Sequence, residues 1–194
     1  MKTRAGFVSN SSSSSFVVGF AEVPETVGQM YDLLFSDGRT AVAPWEWSEG
    51  LSAGEVAEKV FSGLATAKQI TVFEQLREKV KSGWFDGYPD TSWEERHRLK
   101  YAVRDEYEAK YGKDALREDH PDWEEADRKA TDEDWGREAA LIDAAALALA
   151  KKMWERMSGL QLFLFSYSDD TSAGSVLEHG DIFRCVPHLT LSNH

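Results

Sequence analysis

Strand-forming sequence stands at both ends of this chain, and helix-forming sequence fills most of the region between them. Residues 16–23 are rich in aromatic and β-branched side chains and are followed by Pro24, which is typical of a strand. Residues 160–167 are largely apolar, and residues 188–194 alternate, so both segments are also predicted to be strands. The order predicts an α+β fold, in which a small, mostly antiparallel sheet formed by the N- and C-terminal segments carries a large acidic helical insertion packed on it.

Local signals divide the chain into four parts of one domain. Ser52 and Glu55 have the spacing of a capping box, which predicts a helix start, and a further helix is predicted over residues 67–81. The clearest helical pattern is expected to start at Thr131, and a polar turn is expected at residues 169–174. Residues 182–186 are expected to form a short helix or strand. The predicted parts are a serine-rich leader (1–15), a strand with helices (16–85), an acidic helical region (86–157) and C-terminal strands (158–194).

Acidic side chains are concentrated in the middle of the chain. The net charge is −12, and the segment 86–138 holds 18 acidic and 10 basic residues, which gives −8. Such a chain repels the phosphate backbone, so direct binding to nucleic acid is disfavoured, whereas a basic protein partner is compatible. The leading interpretation is therefore a non-enzymatic protein–protein interaction protein. Its candidate partner-binding residues are Asp122, Trp123, Glu124, Glu125 and Asp127.

No established enzyme motif is present, and this absence favours the same interpretation. The sequence has no Walker loop, no Gly-x-Gly-x-x-Gly stretch and no Gly-x-Ser-x-Gly elbow. The single cysteine, Cys185, excludes an internal disulfide, and its apolar neighbours Phe183 and Val186 predict a buried, inert thiol. The basic residues at the start are not followed by an apolar run, and residues 141–150 are about half as long as a membrane span. The sequence thus predicts a cytoplasmic protein without a membrane partner.

Five consecutive serines near the N-terminus form the most specific string in the chain. Residues 6–18 read Gly-Phe-Val-Ser-Asn-Ser-Ser-Ser-Ser-Ser-Phe-Val-Val. This string resembles an N-terminal signature that recurs in uncharacterised bacterial and bacteriophage proteins. Two C-terminal stretches, Glu178-His179-Gly180 and Ser192-Asn193-His194, also look loosely similar to the ends of such proteins. The resemblance implies a bacterial or phage origin, and it implies no activity, cofactor or partner.

The serine tract itself has three interpretations. The first is a flexible polar leader ahead of the first strand, and the second is an ordered tract held by the apolar residues on either side. The third is a site of modification or anion binding, because hydroxyl groups are acceptors for modifying enzymes and can bind anions beside main-chain N–H groups. The candidate residues for this third interpretation are Ser11, Ser12, Ser13, Ser14 and Ser15.

Histidine and carboxylate side chains cluster near the C-terminus. Imidazole and carboxylate groups are ligands for zinc, manganese and non-haem iron, so the alternative function is a metal-dependent, hydrolase-like enzyme. No recognised ligand spacing is present, and the first expectation is no cofactor. Because both chain ends are predicted to join one sheet, the serine tract is expected to lie near this cluster. The candidate metal ligands are His179, His188, His194, Glu178 and Asp169.

Overall fold

The computed structural model describes residues 13–45, 48–83, 105–106, 108–112 and 123–193. Residues 105–106 and 108–111 are helical. The elements are, in chain order, β1 (Ser13–Phe20), α1 (Val27–Leu34), β2 (Ala41–Val42), β3 (Leu51–Ser52), α2 (Ala53–Leu64), β4 (Lys68–Ile70), α3 (Phe73–Lys81), α4 (Trp123–Arg156), β5 (Gln161–Ser168), α5 (Ser172–His179) and β6 (His188–Asn193).

The main sheet joins the two ends of the chain. Its strand order is β4-β5-β1-β6, and all three neighbouring pairs are antiparallel. β1 therefore lies between two strands from the C-terminal part of the chain. This arrangement confirms the predicted α+β class and the predicted small antiparallel sheet of terminal segments. A separate pair of short strands, β2 and β3, precedes α2.

The chain divides into two compact units. The first comprises Met1–Asp86 and Leu149–His194, and the second is Gly87–Ala148. All strands of the main sheet belong to the first unit, together with α1, α2, α3 and α5. The second unit holds most of the acidic segment identified in the sequence. Among the described residues, no helix is both long enough and apolar enough to cross a membrane.

The core of the first unit is built on β1, which is buried on both faces. Because side chains alternate across a strand, Phe16, Val18 and Phe20 share one face, and they belong to the same apolar cluster as buried residues of α1, α2 and α5. Val17 lies on the other face and is fully buried. Leu191 on β6 is a diagonal neighbour of Val17 on this face. The backbone of Gly83, just after α3, packs against Leu191. Strand β1 is thus the centre of the fold.

Helix α2 forms where the sequence predicts it. The Ser52 backbone N–H donates to Glu55 Oε2 at 2.9 Å, and the Glu55 N–H donates to Ser52 Oγ at 3.3 Å. These reciprocal bonds satisfy free donors at the helix start, which confirms the predicted capping box. Apolar residues of this helix then pack into the core.

Four predictions about where an element begins or which type it has are wrong. β1 begins at Ser13 rather than at residue 16, because pairing with β5 and β6 extends through the serines. The predicted helix over residues 67–81 is instead β4 followed by α3, since Lys68–Ile70 pairs with β5. α4 begins at Trp123 rather than at Thr131, because residues 123–130 contain no glycine or proline that would interrupt a helix. Residues 182–186 form turns instead of a helix or strand.

Helix α5 replaces the second half of the predicted polar turn at residues 169–174, since it begins at Ser172. Thr171 has extended backbone angles, and its hydroxyl accepts a hydrogen bond from the Gly174 N–H at 2.9 Å. This cap satisfies a free donor of the first turn and allows a helix to begin at Ser172. The helix ends at His179, so its last turn carries two of the candidate metal ligands.

Candidate functional site

The N-terminal serines meet the C-terminal acid and histidine residues at one end of the sheet. In the register of the sheet, Ser13 lies opposite Ser168 on β5 and opposite Asn193 on β6. Asp169 follows the last residue of β5 directly, and helix α5 then brings Glu178 to the core face of β1. The expected proximity of the serine tract and the C-terminal cluster is therefore present.

Asp169, Glu178 and His179 form a compact cluster, hereafter the Asp-Glu-His cluster. Each residue offers one ligand atom, and these atoms all lie within 4.8 Å of one another. His179 Nε2 is 3.8 Å from Glu178 Oε1, a distance too long for a direct hydrogen bond. The Glu178 side chain is 1% exposed, whereas the His179 side chain is 34% exposed. The cluster thus combines a buried carboxylate with an imidazole that solvent can reach.

Ser14 holds the buried carboxylate. Its side chain is on the core face of β1, and its hydroxyl donates to Glu178 Oε1 at 3.1 Å. Because burial of an ionised carboxylate is costly unless hydrogen bonds or positive charge compensate it, this contact stabilises Glu178 in place. Ser15 lies on the opposite face, where its hydroxyl is 3.0 Å from the hydroxyl of Ser166. The two adjacent serines therefore have different partners on the two faces of the sheet.

The dimensions of the Asp-Glu-His cluster fit a small divalent cation. Nitrogen and oxygen ligands about 2.1 Å from a tetrahedral zinc ion lie about 3.4 Å from each other. The 3.8 Å separation between His179 Nε2 and Glu178 Oε1 is close to that value. Small rotations of exposed side chains would bring all three ligand atoms into range. Three protein ligands also leave a coordination position for water or substrate, as in catalytic rather than structural sites.

An exposed tryptophan borders the cluster. The ring of Trp45 is centred 5.5 Å from the ring of His179, and the two planes are tilted by 31°. Trp45 is 50% exposed, so the indole covers one side of the imidazole and remains open to solvent on the other. The contact restrains the orientation of His179.

The structure separates the remaining candidate residues from this cluster. His188 begins β6 opposite Val18, and its Nδ1 atom lies 3.0 Å from the carbonyl oxygen of Val186. His188 pairs with β1 at the opposite end from Ser13, and the Asp-Glu-His cluster lies at the Ser13 end. The prediction that His188 joins the other ligands is therefore wrong. His194 lies outside the described residues. Asp122 also lies outside them, and residues 123–127 are described only as helical backbone.

Of the five serine candidates for modification, the structure describes three. Ser11 and Ser12 lie outside the described residues, and Ser13 is half-buried at the start of β1. Ser14 is 5% exposed and Ser15 is 1% exposed. A modifying enzyme could not reach these two hydroxyls in the folded chain. The flexible-leader interpretation does not hold for residues 13–15, because they are part of strand β1.

Cys185 is half-buried rather than fully buried, and it lies beside an ion-pair cluster. Arg184 Nε donates to Asp37 Oδ2 at 2.6 Å, and Arg39 Nε is 2.9 Å from the same oxygen. Partial desolvation raises the pKa of Asp37, but hydrogen bonds from Arg39, Arg184 and Cys185 outweigh it and hold that pKa well below its usual range. The carboxylate stays ionised at neutral pH and fastens the turn after α5 to the turn after α1.

Tyr167 does not act as a base or acid near neutral pH. It lies on the core face of β5, and burial raises the pKa of its phenol far above the usual range. Its hydroxyl is buried and has no hydrogen-bond partner within the described part of the chain. We therefore assign Tyr167 to packing, where its ring contacts Phe16 and Phe165.

Comparison of this chain with protein-family models, curated proteins and solved structures found no match.

Replacing Ser14 by alanine is expected to lower the free energy of unfolding by about 1–3 kcal/mol, because the buried Glu178 loses a hydrogen-bond donor. Urea denaturation measures the change. The matched control is Ser36→Ala at an exposed turn position, which should change stability by less than about 0.5 kcal/mol. Equal stabilities of the two variants would show that the contact between Ser14 and Glu178 contributes nothing.

Proposed function

We propose that this protein binds a divalent cation at the Asp-Glu-His cluster and acts as a metal-dependent, hydrolase-like enzyme. The observation that supports the proposal is the convergence of three ligand atoms, from the end of β5 and the end of α5, within 4.8 Å. One imidazole and two carboxylates suit Zn²⁺, Mn²⁺ or Fe²⁺. When bound, such an ion would activate a water molecule at its open coordination position.

The residues around the cluster support this assignment. Glu178 is buried and is positioned by Ser14, so one ligand is fixed before any ion binds. His179 is restrained by Trp45 and is exposed enough for a cation to enter. A cation would also compensate the charge of a carboxylate that the fold removes from water. Affinity is expected to fall at acidic pH, because protons compete with the cation for carboxylate and imidazole.

Adding Zn²⁺ or Mn²⁺ to untagged, metal-stripped protein is expected to raise its melting temperature. A ligand present at about 100 times its dissociation constant stabilises the folded state by about 2.7 kcal/mol. For a chain of this size that corresponds to a shift of about 5–11 °C. Elemental analysis of the untagged protein as purified is expected to find one metal ion per chain.

Two variants test whether the shift arises at the Asp-Glu-His cluster. His179→Ala and Asp169→Asn should each abolish most of the metal-induced shift, because each removes one of three ligands. Asp170→Asn is the matched control, since Asp170 is the next carboxylate along the chain and is outside the cluster. A wild-type protein without bound metal and without a metal-induced shift would refute the proposal, as would an equal shift in all variants.

A second proposed function is binding of a basic protein partner by the acidic segment. It is supported by the net charge of −8 over residues 86–138 within a chain of net charge −12. Complementary charge steers association and fixes orientation more than it adds affinity. This function needs no metal, so it can be tested separately from the first.

Neutralising the acidic candidates is expected to weaken partner capture. In the variant Asp122→Asn, Glu124→Gln, Glu125→Gln, Asp127→Asn, four negative charges are removed, and a pull-down from the native host should recover at least about tenfold less of the partner that wild type captures. The control variant neutralises four acidic residues outside the segment, namely Glu22, Glu25, Glu58 and Glu74. Equal capture by both variants would count against the acidic segment as the binding surface.

A further inference from the structure

A cavity lies at the β4 edge of the main sheet, between this strand and helix α3. Lys68 on β4 is directly opposite Leu164 on β5, and Ile70 is two residues further along β4, so all three side chains share one face of the sheet. This is also the face of Val17, on which the chain packs just after α3. The cavity has a volume of about 400 Å³, within the range of about 300–1,000 Å³ typical of small-molecule sites.

The floor of this cavity is aliphatic. Ile70 and Leu164 are diagonal neighbours on adjacent strands, and both line the cavity. Leu164 is only half-buried, although β5 has a strand on each side. Its side chain therefore leaves apolar surface open to the cavity, and a branched aliphatic group of a ligand would remove that surface from water.

Both signs of charge stand at the walls of the cavity. Lys68 on β4 and the adjacent residues Glu78 and Lys79 on α3 line it. Within the part of the chain that the structure describes, none of these three side chains forms an ion pair or a hydrogen bond. A second carboxylate of the wall, Glu74, is already bound to Arg77 at 2.8 Å. The charges of one carboxylate and two ammonium groups are thus left for a ligand to match.

Lys79 indicates that part of the ligand is anionic. Its side chain is half-buried, and this partial burial lowers the pKa of its amine. No carboxylate among the described residues pairs with it. Because removal of a cation from water is costly unless an anion compensates it, a ligand carboxylate in the cavity would offset this cost.

We propose that this cavity binds an aliphatic α-amino acid. Its side chain covers Ile70 and Leu164. Its carboxylate faces Lys79, and its ammonium group faces Glu78. A zwitterion matches a wall that carries both signs of charge, whereas a ligand with one charge would leave a group of its own sign unmatched. The cavity shares no residue with the Asp-Glu-His cluster, so this binding goes beyond the proposed function and needs no metal ion.

Isothermal titration calorimetry of the full chain tests the proposal with leucine, isoleucine and valine. Three further compounds each lack one feature: 4-methylpentanoate has no amine, 3-methylbutylamine has no carboxylate, and serine has no aliphatic side chain. We expect at least one of the aliphatic amino acids to bind with a dissociation constant of about 1 mM or below. Each of the three further compounds should bind at least about tenfold more weakly than the best of them, because each loses one set of contacts.

Two variants test the roles of the charged residues. Lys79→Met removes the ammonium group and keeps an unbranched apolar side chain, so the amino acid should bind at least about tenfold more weakly. Glu78→Gln should also weaken binding of the amino acid, and it should leave binding of 4-methylpentanoate as it is or strengthen it. Both variants are expected to fold, since neither side chain has an ion pair or hydrogen bond to lose among the described residues.

Lys81→Met is the matched control, because Lys81 is exposed on the same helix and does not line the cavity. It should bind the amino acid as the wild type does. The proposal is overturned if none of the three aliphatic amino acids binds saturably, if any of the three further compounds binds as tightly as the best of them, or if Lys79→Met keeps the wild-type affinity.

Discussion

Replacing Phe183 by alanine is expected to lower the free energy of unfolding by about 3–5 kcal/mol. Phe183 is 1% exposed and lies in the turn after α5. Its ring is centred 5.2 Å from the ring of Phe16 on β1 and 5.4 Å from the ring of Phe165 on β5. Truncation would remove contacts with both central strands and leave a cavity between them, so the cost combines lost burial with lost packing.

For a chain of this length the loss corresponds to a fall in melting temperature of about 6–20 °C. Differential scanning calorimetry measures it. Val72→Ala provides the comparison, because Val72 is 51% exposed and its truncation should cost less than about 0.5 kcal/mol. If Phe183→Ala melts within 2 °C of the Val72 variant, the cluster of Phe16, Phe165 and Phe183 is not the centre of the core.

Replacing Gly174 by alanine is expected to cost about 3 kcal/mol, at the upper end of the usual penalty for overpacking. A Cβ atom on Gly174 would lie 2.0 Å from the carbonyl oxygen of Ser168, far inside van der Waals contact. Because that oxygen belongs to backbone, relief requires α5 to move away from the end of β5. The same movement would separate Asp169 from Glu178 and His179, so metal-induced stabilisation should be lost as well.

Thermal melts with and without Zn²⁺ measure both consequences. Gly54→Ala is the matched control, because nothing lies within 4 Å of a Cβ placed there and the position is inside α2. Alanine favours a helix over glycine, so this control should gain up to about 1 kcal/mol. A Gly174→Ala variant that melts like wild type would show that the β5–α5 connection tolerates a side chain and does not set the geometry of the cluster.

Local sequence patterns predict the strands and helices whose formation depends mainly on their own residues. The apolar run of β5, the alternation of β6 and the capping box of α2 each indicate one element without reference to the rest of the chain. Helix α5 was missed because eight residues that include serine and glycine have little intrinsic helix preference, and its start depends on the cap at Thr171. β4 was missed because three residues become a strand only by pairing with β5.

The sequence predicts the residues of the candidate site, but only part of their arrangement in space. Asp169, Glu178 and His179 were all named from the sequence, but His188 was included with them. What separates His188 is the register of β6 on β1, which places it opposite Val18 and away from Ser13. Register between distant strands is fixed by the whole sheet, so no local pattern distinguishes the two positions. The role of Ser14 was likewise invisible, because it depends on a partner 164 residues away.

The central position of β1 has a consequence for the way this chain folds during synthesis. β1 is translated well before both of its partners, β5 and β6. At typical rates of about 5–20 residues per second, roughly 7–30 s separate the end of β1 from the start of β5. During that interval an apolar strand with two unpaired edges is available to other chains or to chaperones.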